Sequence, residues 1–455
     1  MLRTDVAVVG GGFSAAAAIC NLLECLGSGR TIGVIGRTAT LGLGTAYSTE
    51  DDTHRLNVPA GRMSMFPDRP NHLMEWLGEN EPQFGPEDFI PRRIYGRYVQ
   101  DTLQACLYHK DNRAEVHFLD AEAIDCEDLA DGRQVYHLSD GSRLEATASI
   151  FCLGGTPQGL PLPADRVDPR ARPHICVNVW ADRWLDRAKP DDSVFMLGSG
   201  LTMIDQVLSL RRRGHRGPIH IVSRHGLIPL PHKVPRTPQT EPVITPGSAP
   251  LSQLMKRMRV AARNAGDWRS VVDGIRPVTQ ALWQHLSEVE KQRFLRHANS
   301  WWSIHRHRLA PDMAATFEEM RASGQVTVSA GWLHEVREYN GQARIAYKDR
   351  HTGTLRQLSA DWLVNCTGME KCSISKVPLL KKMSARGQIA ADSLGLGLAV
   401  TEESEVIRQD GRTVGSTYAL GPMTIGQFFE IFAVPDIRSQ ASRVSRRIAA
   451  MVEAA

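Results

Sequence analysis

The 455-residue sequence predicts an α/β fold with two Rossmann-like domains. An apolar strand, a Gly-x-Gly turn and a helix-like segment occur in that order at residues 5–26 and again at residues 194–213. Each copy is followed by a meander of short strands, at residues 115–153 and 326–358, and an apolar strand that stops at glycine closes each copy. The repetition of this whole order of elements predicts two dinucleotide-binding units more strongly than either turn does alone.

The first glycine turn has the sequence context that a dinucleotide pyrophosphate needs. Its residues fit the pattern G-x-G-x-x-A, between an apolar strand and an Ala- and Leu-rich helix. Glycine lets the backbone approach a phosphate closely, and the free N–H groups at the start of a helix offset the phosphate charge. We therefore expect a dinucleotide to bind at Gly10, Gly12, Phe13, Ser14 and Ala15.

The strand after the first turn departs from the usual pattern. An Asp or Glu normally ends this strand and binds the ribose hydroxyls of the adenosine. Here the strand at residues 31–35 ends in Gly36-Arg37. The ribose contact is therefore expected from backbone groups, from Arg37 or from Thr38.

The second glycine turn is expected to bind a second dinucleotide. Met203 stands where a third Gly or Ala is usual, so this turn alone is a weaker signal than the first. The residues expected to contact the nucleotide are Gly198, Gly200, Leu201 and Thr202.

The strand after the second turn ends in Ser223-Arg224 instead of an acid. A guanidinium can hold phosphate oxygens with two parallel bonds, whereas a carboxylate would repel them. The pair therefore favours the 2′-phosphate of NADPH over NADH. The alternative is an exposed arginine in a basic turn.

A helical block at residues 251–320 interrupts the second unit, after a proline-rich segment at residues 229–250 that excludes a helix. Its motif His305-Arg306-His307 has three interpretations. A metal site is disfavoured, because residues two apart on a helix do not share a face and no further ligand stands at a suitable spacing. Contact with an anion of the substrate or cofactor and a role in packing both stay open.

Charge and composition exclude several classes of partner. A net charge of +4 over this length does not favour nucleic acid or an anionic membrane. The N-terminus runs directly into a strand, and no apolar stretch has the length of a membrane span. The eight cysteines contain no C-x-x-C pair, which suits a reducing compartment. We expect a cytoplasmic protein without a bound metal.

Three further segments resemble those of known flavoproteins. They are the glycine-rich run at 41–49, the run at 54–67 and the run at 89–96. Together with the first glycine turn, they resemble the bacterial FAD/NAD(P)-binding flavoproteins related to the flavin-containing and N-hydroxylating monooxygenases. The resemblance implies that FAD occupies the first turn and that further residues lie near it, namely Gly42, Gly44, Tyr47, Asn57, Val58, Gly421, Val434 and Pro435.

The resemblance also implies a domain organisation of the glutathione-reductase and flavin-monooxygenase type. An FAD-binding domain at residues 1–160 and 368–455 is interrupted by an NADPH-binding domain at residues 190–367, which carries the helical insert at 251–320. Residues 156–189 are expected to link the two domains, with the alternative that residues 175–184 within them form a short packed piece. A late helix that begins near Val434 is expected to direct its N-terminus at the flavin.

The function that the resemblance implies is that of an FAD-dependent, NADPH-consuming oxidoreductase, in particular a monooxygenase. NADPH would reduce the flavin, and a C4a-peroxide or hydroperoxide of the flavin would oxygenate a small nucleophile, with N-hydroxylation of an amine favoured. Molecular oxygen and a small-molecule substrate are the expected partners. The candidates for catalytic contact with substrate or peroxide are Arg62, His305, Arg306 and His307.

Two alternatives stay open on the sequence. One is a flavin reductase or dehydrogenase that passes electrons to a partner without inserting oxygen. The other is a non-catalytic regulatory protein that binds nucleotides. The second alternative follows from Gly36 and Met203, since both depart from the usual nucleotide-binding motifs.

Overall fold

The computed structural model describes residues 1–109, 114–369 and 373–454, and the chain divides into two compact units. The terminal unit consists of Met1–Asp52, Val58–Thr156 and Lys371–Ala455. The central unit consists of Thr53–Asn57 and Pro157–Glu370. Both ends of the chain therefore build one unit, and the middle of the chain builds the other. Which nucleotide each unit binds stays a prediction.

The strands of the described chain are β1 (Leu2–Val9), β2 (Thr31–Ile35), β3 (Glu115–Leu119), β4 (Ala123–Asp128), β5 (Gln134–Leu138), β6 (Arg143–Phe151), β7 (Ile175–Cys176), β8 (Val194–Leu197), β9 (Ile219–Ser223), β10 (Val326–Tyr339), β11 (Gln342–Asp349), β12 (Leu355–Ala360), β13 (Trp362–Asn365) and β14 (Thr417–Ala419).

Its α-helices are α1 (Phe13–Cys25), α2 (Gly44–Tyr47), α3 (His72–Asn80), α4 (Arg92–Leu107), α5 (Leu201–Arg212), α6 (Leu251–Asn264), α7 (Trp268–Ile275), α8 (Thr279–His285), α9 (Glu288–His297), α10 (Asn299–Arg306), α11 (Pro311–Ala322), α12 (Pro378–Ala385) and α13 (Val434–Ala454).

A mixed sheet in the order β3-β2-β1-β6-β5-β4 forms the core of the terminal unit, and β14 pairs with β6. β1 is parallel to both of its neighbours, with Val9 opposite Ile35 in β2 and Phe151 in β6. The apolar run of β1 is buried on both faces, as expected for a strand inside a parallel sheet. Because β14 also joins in parallel, the C-terminal part of the chain completes the sheet.

Strand β3 differs from the predicted meander. β4, β5 and β6 are antiparallel neighbours as predicted, whereas β3 pairs in parallel with β2. The reason is the long connection that contains α4, since a strand that follows such a crossover joins its sheet in parallel. The carboxyl end of β3, followed by Asp120, therefore lies at the same edge as the carboxyl ends of β1 and β2.

Helix α1 is buried over most of its length in the terminal unit. The four consecutive alanines at 15–18 have no exposed surface. The helix packs against α4 and against α13, which the C-terminal part of the chain supplies. Small side chains let these helices approach closely, and the first glycine turn is thereby anchored by residues from three distant parts of the sequence.

A second mixed sheet, in the order β12-β11-β10-β9-β8-β13-β7, forms the core of the central unit. β10, β11 and β12 form the predicted antiparallel meander. β7 lies in the segment predicted to link two domains, yet it pairs with β13. Trp184 of the same segment is completely buried, and its indole N–H donates to Gln206 Oε1 at 2.7 Å. Residues 157–189 therefore belong to the central unit rather than to a linker.

The helical block of the central unit consists of α6 to α11. Its small core joins Leu254 of α6 to Val271 and Ile275 of α7, and Ile244 of the proline-rich segment packs against them. The segment at 229–250 contains no helix or strand, as its prolines predict. Nowhere in the described parts of the chain is a helix both long enough and apolar enough to span a membrane.

The two glycine turns have the same backbone geometry. Gly10 and Gly198 have φ values of 135° and 100°, a region in which side chains are strained. A Cβ at Gly198 would lie 2.5 Å from the carbonyl oxygen of Cys366, and one at Gly10 would overlap the carbonyl of Cys152. The first glycine of each turn is therefore fixed by the strand that returns to it.

Replacing this glycine is expected to destabilise the central unit. Gly198→Ala should lower the free energy of unfolding by about 1 to 3 kcal/mol or more, because it adds backbone strain and a clash with Cys366. The measurement is urea unfolding followed by tryptophan fluorescence. Gly200→Ala is the matched control, since Gly200 has a φ of −85° and open space around its Cα. Equal destabilisation by both variants would contradict the proposed role of the return strand.

Candidate nucleotide-binding sites

The N-terminus of α1 is open for an anionic ligand. Gly12 precedes the helix with extended backbone angles, φ −94° and ψ −169°, and no side chain caps the helix. The first turn closes through the amide of Ala15, which donates to the Gly12 carbonyl at 3.0 Å. Phe13 and Ser14 are the first two helical residues, and their amides belong to the group that lacks intrahelical acceptors. This arrangement suits a pyrophosphate.

The second predicted flavin-binding segment lies directly on this turn. The amide of Gly42 donates to the carbonyl of Gly11 at 2.9 Å. A Cβ at Gly12 would be in ordinary van der Waals contact with the Cα of Gly44, at 3.8 Å, so the two backbone segments are close neighbours. Gly42 and Gly44 both have positive φ, 89° and 52°. The fold therefore brings together Gly12, Gly42 and Gly44, which the sequence had assigned to one ligand.

Aromatic rings extend this region. The ring of Tyr47 lies 4.8 Å from that of Tyr95 and packs edge-on against Phe13 at 6.2 Å, measured between centroids. Gly96 permits the approach, because a Cβ there would lie 2.8 Å from the carbonyl oxygen of Tyr47. Burial raises the pKa of the Tyr47 phenol above its ordinary value, so the side chain is neutral at pH 7. Tyr47 therefore offers an aromatic face and a hydroxyl rather than a charge.

The missing ribose-binding acid has a steric explanation. A Cβ at Gly36 would lie 2.9 Å from the carbonyl oxygen of Gly10, so a carboxylate side chain at this position would displace the glycine turn. An acid does lie beside the end of β2, namely Asp120, whose Oδ1 accepts the amide hydrogen of Thr38 at 3.0 Å. Sequence reasoning missed Asp120, although its position directly after β3 was the available signal. Arg37 is exposed and lies 3.7 Å from Glu122.

The C-terminal part of the chain contributes Gly421 to the same turn. Gly421 has a φ of 74°, and a Cβ there would lie 2.5 Å from Ser14 Oγ. Its amide donates to Gln440 Oε1 of α13 at 2.8 Å, and Ile437 of the same helix lies close by. Val434 is the first residue of α13 and is followed by Pro435, so the helix begins where the sequence predicts.

The segment that contains Asn57, Val58 and Arg62 is divided between the two units. Asn57 belongs to the central unit, where its carbonyl accepts a hydrogen bond from His232 Nε2 at 3.1 Å. Val58 is buried in the terminal unit. Arg62 ends a short 3₁₀ turn of the terminal unit, at Ala60–Arg62. Their predicted roles stay predictions.

The second glycine turn repeats the first at the start of α5. Gly200 precedes the helix with φ −85° and ψ −168°, again without a side-chain cap, and Leu201 and Thr202 begin the helix. Nothing lies within 4 Å of a Cβ built at Gly200, so the turn faces open space. Met203, at the position of the usual third glycine, is completely buried. The departure from the motif is therefore a core side chain and leaves the helix N-terminus open.

The hydroxyl of Ser223 is already engaged. Ser199 Oγ lies 2.7 Å from Ser223 Oγ and 2.5 Å from the carbonyl oxygen of Leu227. Ser199 is the donor toward both of these oxygens, so Ser223 is an acceptor in its contact with Ser199. Ser223 also accepts the amide hydrogen of Gly226 at 3.1 Å. Ser223 therefore shapes the loop through two hydrogen bonds that its oxygen accepts.

Arg224 lies at the end of β9, where its side chain is exposed. Within the described chain it forms no ion pair with an acid. Burial lowers the pKa of the neighbouring His225, and the charges of Arg350 and Arg224 lower it further. His225 is therefore neutral at pH 7 beside two guanidinium groups. This end of β9 is cationic.

The motif at 305–307 ends helix α10 of the helical block. His305 Nδ1 lies 2.7 Å from the carbonyl oxygen of Trp301, and its ring packs edge-on against Trp268 at 4.7 Å. Arg306 is buried, and His307 follows the last helical residue. The described residues contain no group of three or more His, Cys, Asp or Glu that is arranged to hold a metal ion.

Comparison with known proteins supports a nucleotide-binding assignment for the N-terminal segment. Residues 7–156 match the FAD-NAD(P)-binding family. A segment of 146 residues, 30% of this chain, is 29% identical to nitrosuccinic acid synthase of Aspergillus oryzae. That segment spans only 22% of the length of this relative. The predicted resemblance to FAD/NAD(P)-binding flavoproteins is thus confirmed for this part of the chain.

Solved structures show the fold of the whole chain. An ornithine N-hydroxylase of Kutzneria sp. 744 has a TM-score of 0.63 at 13% identity, with 99% of both chains covered. The L-lysine 6-monooxygenase of Pseudomonas syringae has the same TM-score at 16% identity, again with 99% of both chains covered. The predicted α/β fold of the flavin-monooxygenase type is confirmed.

The helical block contains a buried charged cluster that sequence reasoning missed. Asp273 of α7 pairs with Arg308 and, at 3.1 Å, with Arg236 of the proline-rich segment. Burial opposes ionisation of Asp273, yet the charges of Arg308 and Arg236 hold its pKa below the usual range. Burial and the neighbouring Arg308 lower the pKa of His232 to about 4, so it is neutral at pH 7. One carboxylate thus joins the proline-rich segment to the end of α10.

Removal of this carboxylate is expected to destabilise the central unit. Asp273→Asn leaves two largely buried guanidinium groups without their anion, and should lower the free energy of unfolding by about 3 to 5 kcal/mol at pH 7. The pKa of Asp273 is depressed in the folded state, so its contribution is complete above the unfolded pKa of about 3.9. The difference from wild type should therefore shrink as the pH falls below about 4.

Urea unfolding at several pH values measures this difference. Asp191→Asn is the control, because Asp191 and its partner Arg216 are both exposed and such pairs contribute about 0 to 1 kcal/mol. A loss that stayed constant down to pH 3 would show that Asp273 does not act through its charge.

Proposed function

We propose that the protein is an FAD-dependent oxidoreductase that consumes NADPH and oxygenates a small nucleophilic substrate, with an amine nitrogen as the favoured target. The observation that carries this proposal is the pair of open helix N-termini at Gly12 and Gly200. Each follows a parallel strand in its own unit. The fold shared with an ornithine N-hydroxylase and an L-lysine 6-monooxygenase over 99% of the chain supports oxygenation of an amine nitrogen as the reaction.

The terminal unit fits FAD. The amides at the start of α1 would receive the pyrophosphate, and Gly42 and Gly44 would leave room for it beside Gly12. Arg37, the Thr38 backbone and Asp120 lie at the end of β2, where the adenosine ribose is expected. The chemistry that bound FAD supplies is acceptance of a hydride and reaction of the reduced ring with molecular oxygen.

The central unit fits NADPH. The amides at the start of α5 would receive its pyrophosphate, since no side chain caps this helix. Arg224 would bind the 2′-phosphate at the carboxyl end of β9, the edge of a parallel sheet where such ligands bind. The cationic surroundings of His225 favour a phosphate over a free hydroxyl.

The substrate contacts are proposed at the four residues that the sequence indicates as candidates, namely Arg62, His305, Arg306 and His307. Of these, His305 contacts the backbone through Nδ1, which leaves Nε2 as the nitrogen that can meet a ligand. The role of this chain in the oxygenation step is to bind and orient the substrate and to exclude water. The cofactor, rather than a nucleophilic side chain, supplies the reactivity.

Variants of the two turns test the cofactor assignment. Gly12→Val should give colourless protein, because the added methyl groups would occupy the space between Gly12 and Gly44. Gly200→Val should purify yellow but fail to bleach when NADPH is added without air. Visible absorbance spectra measure both results, with circular dichroism to check folding. Flavin retained by Gly12→Val, or lost from Gly200→Val, would overturn the assignment of cofactors to units.

Oxygen insertion is tested separately with wild-type protein. A panel of amines and amino acids should contain a compound that stimulates both NADPH oxidation and oxygen uptake, and its product should gain one oxygen atom by mass spectrometry. Stimulated NADPH oxidation without an oxygenated product would favour electron transfer to a partner instead. A folded wild-type protein that binds no flavin would favour a regulatory role.

A further inference from the structure

We propose that Arg350 is a second residue that binds the 2′-phosphate of NADPH, so that Arg224 and Arg350 together set the preference for NADPH over NADH. This inference rests on the proposed binding of NADPH to the central unit. Sequence analysis placed only Ser223 and Arg224 at this phosphate, and 126 residues separate Arg350 from Arg224 in the chain.

The sheet brings Arg350 to the carboxyl end of β9. β10 is parallel to β9, with Ala330 opposite Ser223. β11 returns antiparallel to β10, with Asp349 opposite Gly331. Arg350 directly follows β11, and its amide donates to the Ala330 carbonyl at 2.9 Å. The turn after β11 is therefore fixed beside the strand end at which the 2′-phosphate is expected.

The side chain of Arg350 is oriented by two contacts. Its Nη1 donates to the carbonyl oxygen of Arg224 at 3.2 Å, and its guanidinium lies over the ring of Trp332, 5.2 Å from the centroid. A guanidinium has five N–H donors in a planar fork, and the bond to Arg224 uses one of them. The group is thus held in place while most of its donors stay available to phosphate oxygens.

The charges at this position favour an anion. Arg224 and Arg350 are both exposed, and neither forms an ion pair with an acid within the described chain. Both guanidinium groups lower the pKa of His225, after the larger effect of its burial, so the two cations share one neighbourhood. Two like charges repel, and a phosphate bound by both would offset that repulsion.

Binding of NADPH and NADH to the flavin-loaded protein tests the inference. Arg350→Ala should raise the Kd for NADPH roughly 10- to 150-fold, the usual effect of a lost hydrogen bond to a charged group, and leave the Kd for NADH within about twofold. Isothermal titration with 2′,5′-ADP and 5′-ADP should show the same contrast without turnover. Arg350→Lys keeps the positive charge but loses the planar set of N–H donors, so its Kd for NADPH should lie between those of wild type and Arg350→Ala.

The matched control is Arg344→Ala. Arg344 lies on the same β10–β11 hairpin and stacks on Tyr339 at 3.7 Å, but it pairs with Arg337 near the hairpin turn rather than near β9. This variant should change neither Kd. The inference would be overturned if Arg350→Ala bound NADPH as tightly as wild type, or if it raised the Kd values for NADPH and NADH by the same factor.

Arg224→Ala separates this failure from failure of the proposed function. If Arg224→Ala raises the Kd for NADPH selectively and Arg350→Ala does not, the proposed binding of NADPH at β9 is supported and the proposed role of Arg350 is wrong. A wild-type protein that binds both nucleotides without preference would overturn the 2′-phosphate site and the role of Arg350 together.

Discussion

The two glycine turns depend on one backbone contact, made once in each unit. The first glycine of the turn lies against the carbonyl group that follows the returning strand, Gly10 against Cys152 and Gly198 against Cys366. The amides of these two cysteines in turn donate to Val9 and Leu197, at 2.8 and 2.7 Å. Because no Cβ fits between the glycine and the returning strand, only glycine can occupy the first position of the turn. The helix that follows the turn begins without a side-chain cap on its amides.

The same constraint explains why the first site lacks its usual acid. Gly36, which follows β2, lies against the carbonyl of Gly10, and Gly10 lies against the carbonyl of Cys152, which follows β6. Neither glycine has room for a Cβ at these contacts. An acid lies one strand outward, at Asp120 after β3, where it accepts the amide hydrogen of Thr38. The departure from the sequence motif at Gly36 is in this case a consequence of packing.

Features that depend on neighbouring residues in the chain could be predicted from the sequence. The glycine turns, the meander β10 to β12 and the start of α13 follow from local pattern. The parallel pairing of β3 and the strand partner of β7 could not be predicted, because they depend on which strands meet across long connections. The cluster around Asp273 and the approach of Arg350 to Arg224 depend on tertiary contacts in the same way.

The engagement of Ser223 shows a further limit of sequence reasoning. Its residue type suits a phosphate contact, but in the structure its oxygen already accepts hydrogen bonds from Ser199 and from the amide of Gly226. Whether a polar side chain is available to a ligand depends on its other partners, which the sequence does not contain.

Charge distinguishes two sites that share one backbone plan. At the end of β2, Arg37 faces Glu122, and Asp120 binds the neighbouring backbone, so cation and anion are balanced beside the first turn. At the end of β9, Arg224 and Arg350 meet around a neutral His225 without a compensating acid in the described chain. Ribose hydroxyls need acceptors as well as donors, whereas a phosphate dianion needs donors and positive charge. Under the proposed function, the same glycine turn would bind two different nucleotides, and the strand ends beside it would provide the selectivity.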